Sequence, residues 1–274
     1  MAGVTDIGIE GVASRRPLIS AAWKRRLLRS SSVILLAVAW EWGARMHFVS
    51  DFLLPSLSSV LVRLWDDIIS GDVPVALGLT MARTFAGFSM AAIAGVVIGV
   101  TIARLRFARW FFDPIVSVGN PLPKIAFLPI FILWFGVFDW SKIAMVAFSS
   151  VFPVVVATWA ATENVDKYLI WSAQSLGVSR RALLWEIVLP SAMPEVFTGL
   201  QIALPISLIV VIICEMTMGG EGLGGSMMTS MRFADSPGVF SGIVAIAIVG
   251  SVLVKLMEII RARLLVWHQE SEHH

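Results

Sequence analysis

Four long stretches of the chain contain no charged residue. They cover residues 84–102, 143–162, 196–214 and 236–254, and each is 19 or 20 residues long. A helix needs about 20 apolar residues to cross a hydrocarbon layer about 30 Å thick, so each stretch is long enough to span a membrane. Only 15% of the residues are charged, against roughly 25% in an average soluble domain. The sequence therefore predicts an all-α membrane protein.

Two further apolar stretches are interrupted by charges. Residues 30–50 contain Glu41 and Arg45, which are four positions apart and can pair on one face of a helix. Residues 111–138 contain Asp113 and Lys124. We therefore expect a basic N-terminal segment (1–29), a six-helix transmembrane domain (30–265) with a polar loop at 163–195, and a short tail (266–274). The predicted spans are about 30–50, 84–103, 111–138, 143–162, 196–216 and 236–258.

Lys and Arg residues are distributed unevenly between the two ends of these spans. If the N-terminus is cytoplasmic, 14 of the 21 basic residues fall in cytoplasmic segments. Three fall outside, namely Arg63, Lys142 and Arg232. Membrane proteins carry such an excess of positive charge in their cytoplasmic loops. We expect both termini and the 163–195 loop to be cytoplasmic.

The third span contains three prolines in nine residues, Pro121, Pro123 and Pro129. Proline removes a backbone donor, so this helix is expected to be bent or broken. Broken backbone at membrane depth is tolerated against protein or a water-filled cavity, which makes Pro121 and Pro123 candidates for a translocation path. Lys124 follows them and either faces that path, where it could attract an anionic solute or pair with Glu215, or extends to the cytoplasmic interface.

The fifth span ends at Glu215, which either belongs to the path or caps the helix at the interface. The segment GGEGLGGSMM follows it and matches G-x-G-x-x-G formally. A dinucleotide site would require a preceding strand, whereas a predicted transmembrane helix precedes this segment. We interpret it as a tight outer loop that could gate a pore.

Small residues recur every fourth position in the second span, at Gly87, Ala91, Gly95, Gly99 and Ala103. Such a row allows another helix to approach closely, either within the bundle or across a dimer. Apolar helices are also rich in Gly and Ala in general, so this row identifies no function.

Several classes of function have no support in the sequence. The chain has one cysteine, Cys214, which is expected to be a small core residue and excludes an intramolecular disulfide. There is no G-x-x-x-x-G-K-[ST] motif for ATP hydrolysis. No nucleophile–base set or metal-binding histidine cluster is evident, and the net charge of +2 does not suggest nucleic-acid binding. We expect no enzymatic activity and no cofactor in this chain.

The polar loop at 163–195 has helical composition. Gly177 can end a first short helix in a left-handed cap, and Ser179 can cap a second. We expect the second helix to stop at Leu189-Pro190. An apolar and basic surface outside the membrane suggests a docking site for a partner.

The run AQSLGVSRRALLWEIVLPSAMPE in this loop resembles the EAA loop of ABC importer permeases. The segments LLPSLSSVL, DPIVSVGNPLPKIAFLPIFILWFGVFDWSKI and GEGLG resemble the nitrate/sulfonate/taurine-type subfamily of these permeases. The resemblance covers roughly residues 50–265. It implies a type I ABC importer permease in the bacterial inner membrane that passes a small anion such as a sulfonate, nitrate or carboxylate.

The resemblance also implies partners. These are a second copy of the chain, two ATPase subunits that hold ATP and Mg, and an extracytoplasmic solute-binding protein. The loop residues expected to couple the chain to the ATPases are Trp171, Ala173, Gly177, Ser179, Arg180, Leu189 and Pro190.

The chain departs from the family pattern where Trp171-Ser172-Ala173 replaces Glu-Ala-Ala, so that an aromatic side chain stands where the family has an acid. Two other functions remain open at this point. A stand-alone secondary transporter or channel would need ion-coupling residues or an inverted repeat. A membrane scaffold would leave the broken third span unexplained.

Overall fold

The computed structural model of the protein describes residues 19–46 and 49–265, with side chains from residue 31 onward. All regular elements in this part of the chain are helices, as the sequence predicts. The predicted N-terminal segment up to residue 18 and the predicted tail at 266–274 lie outside the described residues. The helices are α1 (Ile19–Arg45), α2 (Leu57–Ser70), α3 (Asp72–Arg104), α4 (Arg106–Gly119), α5 (Leu128–Phe135), α6 (Asp139–Glu163), α7 (Lys167–Ser175), α8 (Arg180–Ala182), α9 (Leu189–Met218), α10 (Leu223–Arg232) and α11 (Ser236–Leu264).

The chain divides into two compact units, residues 1–58 and residues 59–274. In the first unit, the predicted pair Glu41–Arg45 forms a salt bridge of 2.6 Å. Glu41 also accepts hydrogen bonds from the backbone N–H of Ser58 at 3.0 Å and from the Ser58 hydroxyl at 2.9 Å. These bonds tie the segment that follows α1 to the end of that helix.

The second unit is built around α3, α6 and α9. A Cβ atom added at Gly87 would lie 2.6 Å from Val146 of α6, and one added at Gly95 would lie 2.6 Å from Val154. Both distances are shorter than any normal carbon–carbon contact, so these positions require glycine. The predicted row of small residues therefore forms a close seam inside the bundle, between α3 and α6.

The α6–α9 interface supplies much of the buried core. Met145, Val211 and Cys214 are fully buried there, and Cys214 is the core residue that the sequence predicts. The hydroxyls of Ser150 and Ser207 form a buried hydrogen bond of 2.7 Å between the two helices. Together these contacts fix the part of α9 around residues 207–214 against α6.

Four helical stretches in the described part of the chain are long and apolar enough to cross a membrane. They are Asp72–Arg104, Asp139–Glu163, Arg180–Met218 and Ser236–Leu264. The pair Arg106–Gly119 and Lys124–Phe135 is bent by 99° and meets the same criterion if it counts as one span. Four of the six predicted spans therefore coincide with helices that are long and apolar enough to cross a membrane, or five if the bent pair counts as one, and α1 does not meet the criterion.

The break in the third span occurs where the prolines predict it. Pro121 and Pro123 follow the end of α4 and cannot donate hydrogen bonds. Pro123 has extended backbone, with φ −72° and ψ 90°, and a 3-10 turn at Lys124–Phe127 then leads into α5. Pro129 lies in the first turn of α5. Backbone N–H groups in a first turn have no carbonyl partner within the helix, so a proline there costs no hydrogen bond.

The prediction that the 163–195 loop contains a second short helix ending at Leu189-Pro190 is wrong. The first helix, α7, ends before Gly177, which has a left-handed φ of +77° as expected. Helical backbone then continues from Arg180 to Met218. A π-helical turn at Leu183–Val188 precedes Pro190, and its wider turn removes the clash that a proline ring causes in an α-helix.

Candidate functional site

A cluster of charged and polar groups, buried except for Asp139, lies where α3, α6 and α9 meet the Gly-rich segment. We call it the latch, and it consists of five side chains and the backbone of residues 219–224. The side chains are Thr80, Arg83, Asp139, Lys142 and Glu215. Thr80 and Arg83 are three positions apart on α3 and share a face of that helix. Asp139 and Lys142 lie in the first turn of α6, and Glu215 lies in the last turn of α9.

Glu215 is the centre of the latch and has no exposed surface. Its carboxylate lies 2.6 Å from Nη1 of Arg83. It also accepts hydrogen bonds from the Thr80 hydroxyl at 2.9 Å and from the backbone N–H of Gly224 at 3.1 Å. Because an ionised carboxylate is expensive to bury unless it is paired and hydrogen-bonded, this side chain needs all three partners.

Arg83 connects Glu215 to α6 and to the Gly-rich segment. Its guanidinium lies 2.7 Å from the carboxylate of Asp139 and donates to the backbone carbonyl of Glu221 at 2.6 Å. The guanidinium has several fixed donors, so one side chain can hold two carboxylates and a carbonyl together. The side chain of Arg83 is 7% exposed and that of Glu215 is fully buried, so their pair is out of contact with bulk water, whereas the Asp139 carboxylate is 59% exposed.

Two further bonds attach the Gly-rich segment to the helices. Lys142 is buried and donates from Nζ to the carbonyl of Gly219 at 3.2 Å. The backbone N–H of Leu223 donates to the Thr80 hydroxyl at 2.9 Å. The segment is therefore held by α3, α6 and α9 at once.

The glycines of this segment are explained by close packing. Gly222 has a φ of +126°, and a Cβ atom there would collide with the Glu215 carboxylate. A Cβ atom at Gly225 would collide with the carbonyl of Gly220. The G-x-G-x-x-G spacing thus reflects a loop folded tightly over Glu215 and followed by α10.

The sequence gives no local signal that Arg83, Thr80 or Lys142 belongs to a functional site. Arg83 lies directly before an uncharged stretch, as a residue at the membrane interface would. Lys142 lies between two predicted spans, as a basic residue of an external loop would. Glu215, the partner of Thr80 and Arg83, is 132 positions from Arg83 along the chain, and Gly219, the partner of Lys142, is 77 positions from that residue. No periodicity or spacing in one sequence reports a contact over that separation.

A recess of about 550 Å³ borders the latch on the side of α2, α10 and α11. In its wall Arg63 lies 2.8 Å from Asp67 and 2.7 Å from Asp235. The hydrogen bond and charge of Asp67 raise the pKa of the Arg63 guanidinium. Asp67 also accepts from Ser241 at 3.2 Å, so this network fixes α2 to α11 next to the Gly-rich segment.

Lys124 lies at the edge of a separate groove of about 590 Å³. The break at Pro121 and Pro123 places it there, at the start of the turn before α5. Its Nζ donates to the carbonyl of Asn120 and lies 5.2 Å from the centre of the Phe152 ring. The groove is lined by Asn120, Lys124, Ile125, Ser149, Pro153, Val156, Ala157, Ala160, Ile202, Ile206 and Val210. The structure therefore does not bring Lys124 and Glu215 together.

The residues predicted to couple the chain to a partner fall into two groups. Ala173 is buried in an apolar cluster with Leu183 and Val188, which holds α7 against the start of the long helix. Gly177, Ser179, Arg180 and Pro190 are exposed, and Leu189 is partly buried. The Ser179 hydroxyl accepts from the N–H of Ala182 at 3.3 Å, as its predicted role as a cap requires.

The surface of α7 is aromatic. Trp171 is 57% exposed and Tyr168 is 74% exposed, and their rings meet edge to face with centroids 5.5 Å apart. Leu176 and Trp185 are exposed in the same loop. This combination of large apolar side chains outside the core is typical of a surface that a partner covers.

Comparisons with known proteins agree on one kind of protein. Residues 92–266 match the family model described as "binding-protein-dependent transport system inner membrane component". The chain is 29% identical over 250 residues to the taurine transport system permease protein TauC of Escherichia coli (strain K12), covering 89% of this chain and 91% of the relative. It is 27% identical over 250 residues to the putative aliphatic sulfonates transport permease protein SsuC of Bacillus subtilis (strain 168), covering 91% of this chain and 90% of the relative.

Solved structures show the same fold. An amino acid ABC transporter aligns with a TM-score of 0.59 and 17% identity, over 79% of this chain and 98% of the other. An inward-facing form of the MetNI methionine ABC transporter aligns with a TM-score of 0.53 and 19% identity, over 75% of this chain and 94% of the other. The all-α expectation and the likeness to type I ABC importer permeases are confirmed.

Proposed function

The chain belongs to the family of binding-protein-dependent transport system inner membrane components, and we propose that it passes a small anion across the membrane through a path whose outer end the latch closes. It is the permease subunit of an ABC importer, and ATP is hydrolysed by a partner subunit. A stand-alone secondary transporter or channel is not favoured, because the relatives are permease subunits of binding-protein-dependent systems.

The observation that carries this proposal is the unbroken helical backbone from Arg180 to Met218. At a rise of 1.5 Å per residue, its 39 residues span about 55–60 Å. Arg180 lies in the loop that docks the ATPase, and Glu215 lies in the latch at the other end. A displacement of the loop is therefore passed to Glu215 through one continuous helical segment.

The partners complete this mechanism. Two ATPase subunits, which carry ATP and Mg, dock on the 163–195 loops of two copies of the chain. Closure of the ATPases shifts each loop, and the long helix draws Glu215 away from Arg83 and the Gly-rich segment. An extracytoplasmic solute-binding protein delivers the solute to the opened end. Each step is one two-state rearrangement of packed elements rather than a gradual deformation.

The arrangement in the membrane follows from the basic residues. Their excess on one side supports cytoplasmic termini, a cytoplasmic 163–195 loop and an external latch, in a bacterial inner membrane. The region around residues 30–50 supplies the first of six spans in this arrangement.

The substrate class is a small anion, namely a sulfonate, nitrate or carboxylate. Relatives are named for taurine and for aliphatic sulfonates. An ammonium group at Lys124 beside a groove between α6, α9 and the broken span is compatible with such a solute.

Reconstitution tests the proposal. The chain is co-expressed with the ATPase and the solute-binding protein encoded beside it, and the complex is placed in liposomes. We expect ATP-dependent uptake of at least one of taurine, an alkanesulfonate and nitrate, and none without the ATPase. Failure of any ATPase to co-purify, or uptake that does not depend on ATP, would contradict the proposal.

A further inference from the structure

The turn between α3 and α4 brings three arginines together within six residues. The helix α3 ends at Arg104, Leu105 has extended backbone with φ −115° and ψ 116°, and α4 begins at Arg106. Arg109 lies three positions further along α4, so it is a neighbour of Arg106 on the surface of that helix. We call Arg104, Arg106 and Arg109 the basic corner.

The contacts between α4 and α6 place the basic corner at one end of the bundle. Nη1 of Arg109 lies 2.8 Å from the carboxylate of Glu163, which is the last residue of α6. At the other end of α4, a Cβ atom added at Gly119 would collide with the ring of Phe152. The two helices therefore run antiparallel over about 15 Å, at a rise of 1.5 Å per residue. The basic corner lies at the end of α6 that leads into the 163–195 loop.

Most of the charge at the basic corner is not neutralised by the protein. Arg104 and Arg106 are exposed, and neither side chain has a hydrogen bond or an ion pair with the described residues. Arg109 has one acidic partner, Glu163, and its guanidinium lies 5.4 Å from the centre of the Trp159 ring. Three arginines and one glutamate leave two positive charges without a counter-charge.

Large aromatic side chains are exposed beside these charges. Phe107 is 76% exposed and Trp110 is 75% exposed, and the centroids of their rings are 6.3 Å apart. Phe111 follows them and is 51% exposed. Aromatic rings at the level of the lipid headgroups, next to basic side chains that extend toward water, are typical of a membrane interface. The surface thus combines positive charge with apolar area, as the boundary of an anionic lipid layer requires.

We propose that the basic corner binds the phosphodiester headgroups of anionic phospholipids, such as phosphatidylglycerol, in the leaflet on the side of the 163–195 loop. The guanidinium groups of Arg104 and Arg106 bind the phosphate oxygens, for which the planar fork of arginine is well suited. Phe107 and Trp110 contact the upper part of the acyl chains. Clusters of basic residues next to transmembrane helices bind anionic headgroups in this way.

The position of Arg109 connects this lipid site to the rest of the chain. Its bond to Glu163 joins the basic corner to the end of α6, three residues before α7 begins at Lys167. A ligand that binds only the folded chain raises its melting temperature. We therefore expect anionic lipid to stabilise the complex against heat, independently of the solute and of the latch.

Native mass spectrometry of the permease–ATPase complex in a neutral detergent tests the proposal. The probes are dioleoyl phosphatidylglycerol and dioleoyl phosphatidylcholine, which share their acyl chains and differ in net charge. We expect the anionic lipid to bind at least ten times more tightly. Arg104→Gln/Arg106→Gln should weaken its binding roughly 10- to 30-fold, since each basic residue near an anionic surface contributes about fivefold. Binding of phosphatidylcholine should not change.

Matched variants separate a defined site from general loss of charge. Lys255→Gln/Arg263→Gln removes the same charge from exposed positions of α11 and should keep the preference for the anionic lipid. Arg104→Lys/Arg106→Lys retains the charge and should keep most of the affinity. Phe107→Ser/Trp110→Ser should weaken the binding of both lipids alike, because the rings contact chains that the two lipids share.

Three outcomes would overturn the proposal. The first is equal binding of phosphatidylglycerol by Arg104→Gln/Arg106→Gln and the unaltered chain. The second is competition by glycerol phosphate as strong as that by the lipid, which would indicate a site for soluble phosphate esters. The third is release of the ATPase from Arg104→Gln/Arg106→Gln with unchanged lipid binding, which would assign the basic corner to a protein partner. ATP-driven uptake is measured separately, so the proposed function stands or fails independently of these results.

Discussion

The guanidinium of Arg83 lies 2.6 Å from the carboxylate of Glu215, and Glu215 has no exposed surface. This ion pair joins α3 to the last turn of α9, and its neighbours Thr80 and Gly224 complete the hydrogen bonds of the carboxylate. Buried ion pairs add little net stability compared with apolar packing, whereas removal of one partner is costly. Such a pair is well suited to an element with two states, because it is stable only when complete.

Replacement Glu215→Gln should loosen the latch. It leaves the buried Arg83 guanidinium beside a neutral amide, with the largely exposed Asp139 as its remaining carboxylate partner, so we expect only part of the roughly 3–5 kcal/mol that complete loss of a buried partner costs. We expect a lower melting temperature for the purified chain and ATPase activity that no longer depends on the solute-binding protein. Glu258→Gln on the exposed face of α11 is the matched control and should change neither. A normal melting temperature in Glu215→Gln would show that the pair does not hold the helices together.

The double replacement Arg83→Met/Glu215→Met should be less harmful to stability than either single replacement. Both charges are then absent, so neither is left unpaired in the core. A thermal-unfolding cycle over the four variants measures the coupling. Additive losses would contradict the account of the latch as one unit.

Gly222→Ala should displace Glu215 from the latch. The added Cβ atom collides with the carboxylate, and the φ of +126° disfavours any side chain. Gly71→Ala is the control, since Gly71 has left-handed backbone with a φ of +91° but has no atom within 4 Å of its added Cβ. We expect the Gly71 variant to lose only about 1–2 kcal/mol of stability from backbone strain, and the Gly222 variant to lose more and to leak solute. Equal behaviour of the two variants would argue against close packing over Glu215.

Gly95→Ala should destabilise the bundle by forcing α3 away from α6. Its Cβ atom would lie 2.6 Å from the Cβ of Val154, and overpacking of this kind costs about 1–3 kcal/mol. Gly78→Ala, in the same helix, meets nothing within 4 Å and should be neutral or slightly stabilising. Thermal unfolding of the two variants in the same detergent checks this. If Gly78→Ala also lowers the melting temperature, the loss in Gly95→Ala cannot be assigned to the seam between α3 and α6.

Gly177→Val should allow the complex with the ATPase to assemble but uncouple ATP hydrolysis from uptake. Gly177 has a φ of +77° and open space around it, so the β-branched side chain distorts the backbone between α7 and the long helix without a direct clash. Gly177→Asn should retain coupling because asparagine tolerates this conformation. The measurement is the ratio of solute transported to ATP hydrolysed. A normal ratio in Gly177→Val would show that the turn at Gly177 does not transmit movement between α7 and the long helix.

The elements that the sequence predicts well are those set by local chemistry. Uncharged stretches locate α3, α6, α9 and α11, and the prolines at 121 and 123 locate the break between α4 and α5. The left-handed turn at Gly177 and the cap at Ser179 were also predictable, because each depends on a residue's own backbone preference.

The features that the sequence does not reveal depend on distant contacts. Pro190 indicates a helix end, but the π-helical turn before it lets the helix continue. Glu215 is a candidate from its position at the end of an apolar stretch alone, and its partners Thr80 and Arg83 are identified only when α3 and α9 are placed side by side. The latch therefore follows from the packing of the bundle and not from a motif.

The central claim is that ATP-driven movement opens the latch, and the rate of thiol labelling at Leu223 tests it most directly. Leu223 is 1% exposed, so a Leu223→Cys variant in a Cys214→Ala background should react slowly with a membrane-impermeant maleimide. Met231→Cys, at a position that is 63% exposed, reports any general change in reactivity. Trapping the ATPase with ATP and vanadate should raise the labelling rate at position 223 about tenfold or more and leave that at 231 unchanged. An unchanged rate at 223 in the trapped complex would contradict the claim.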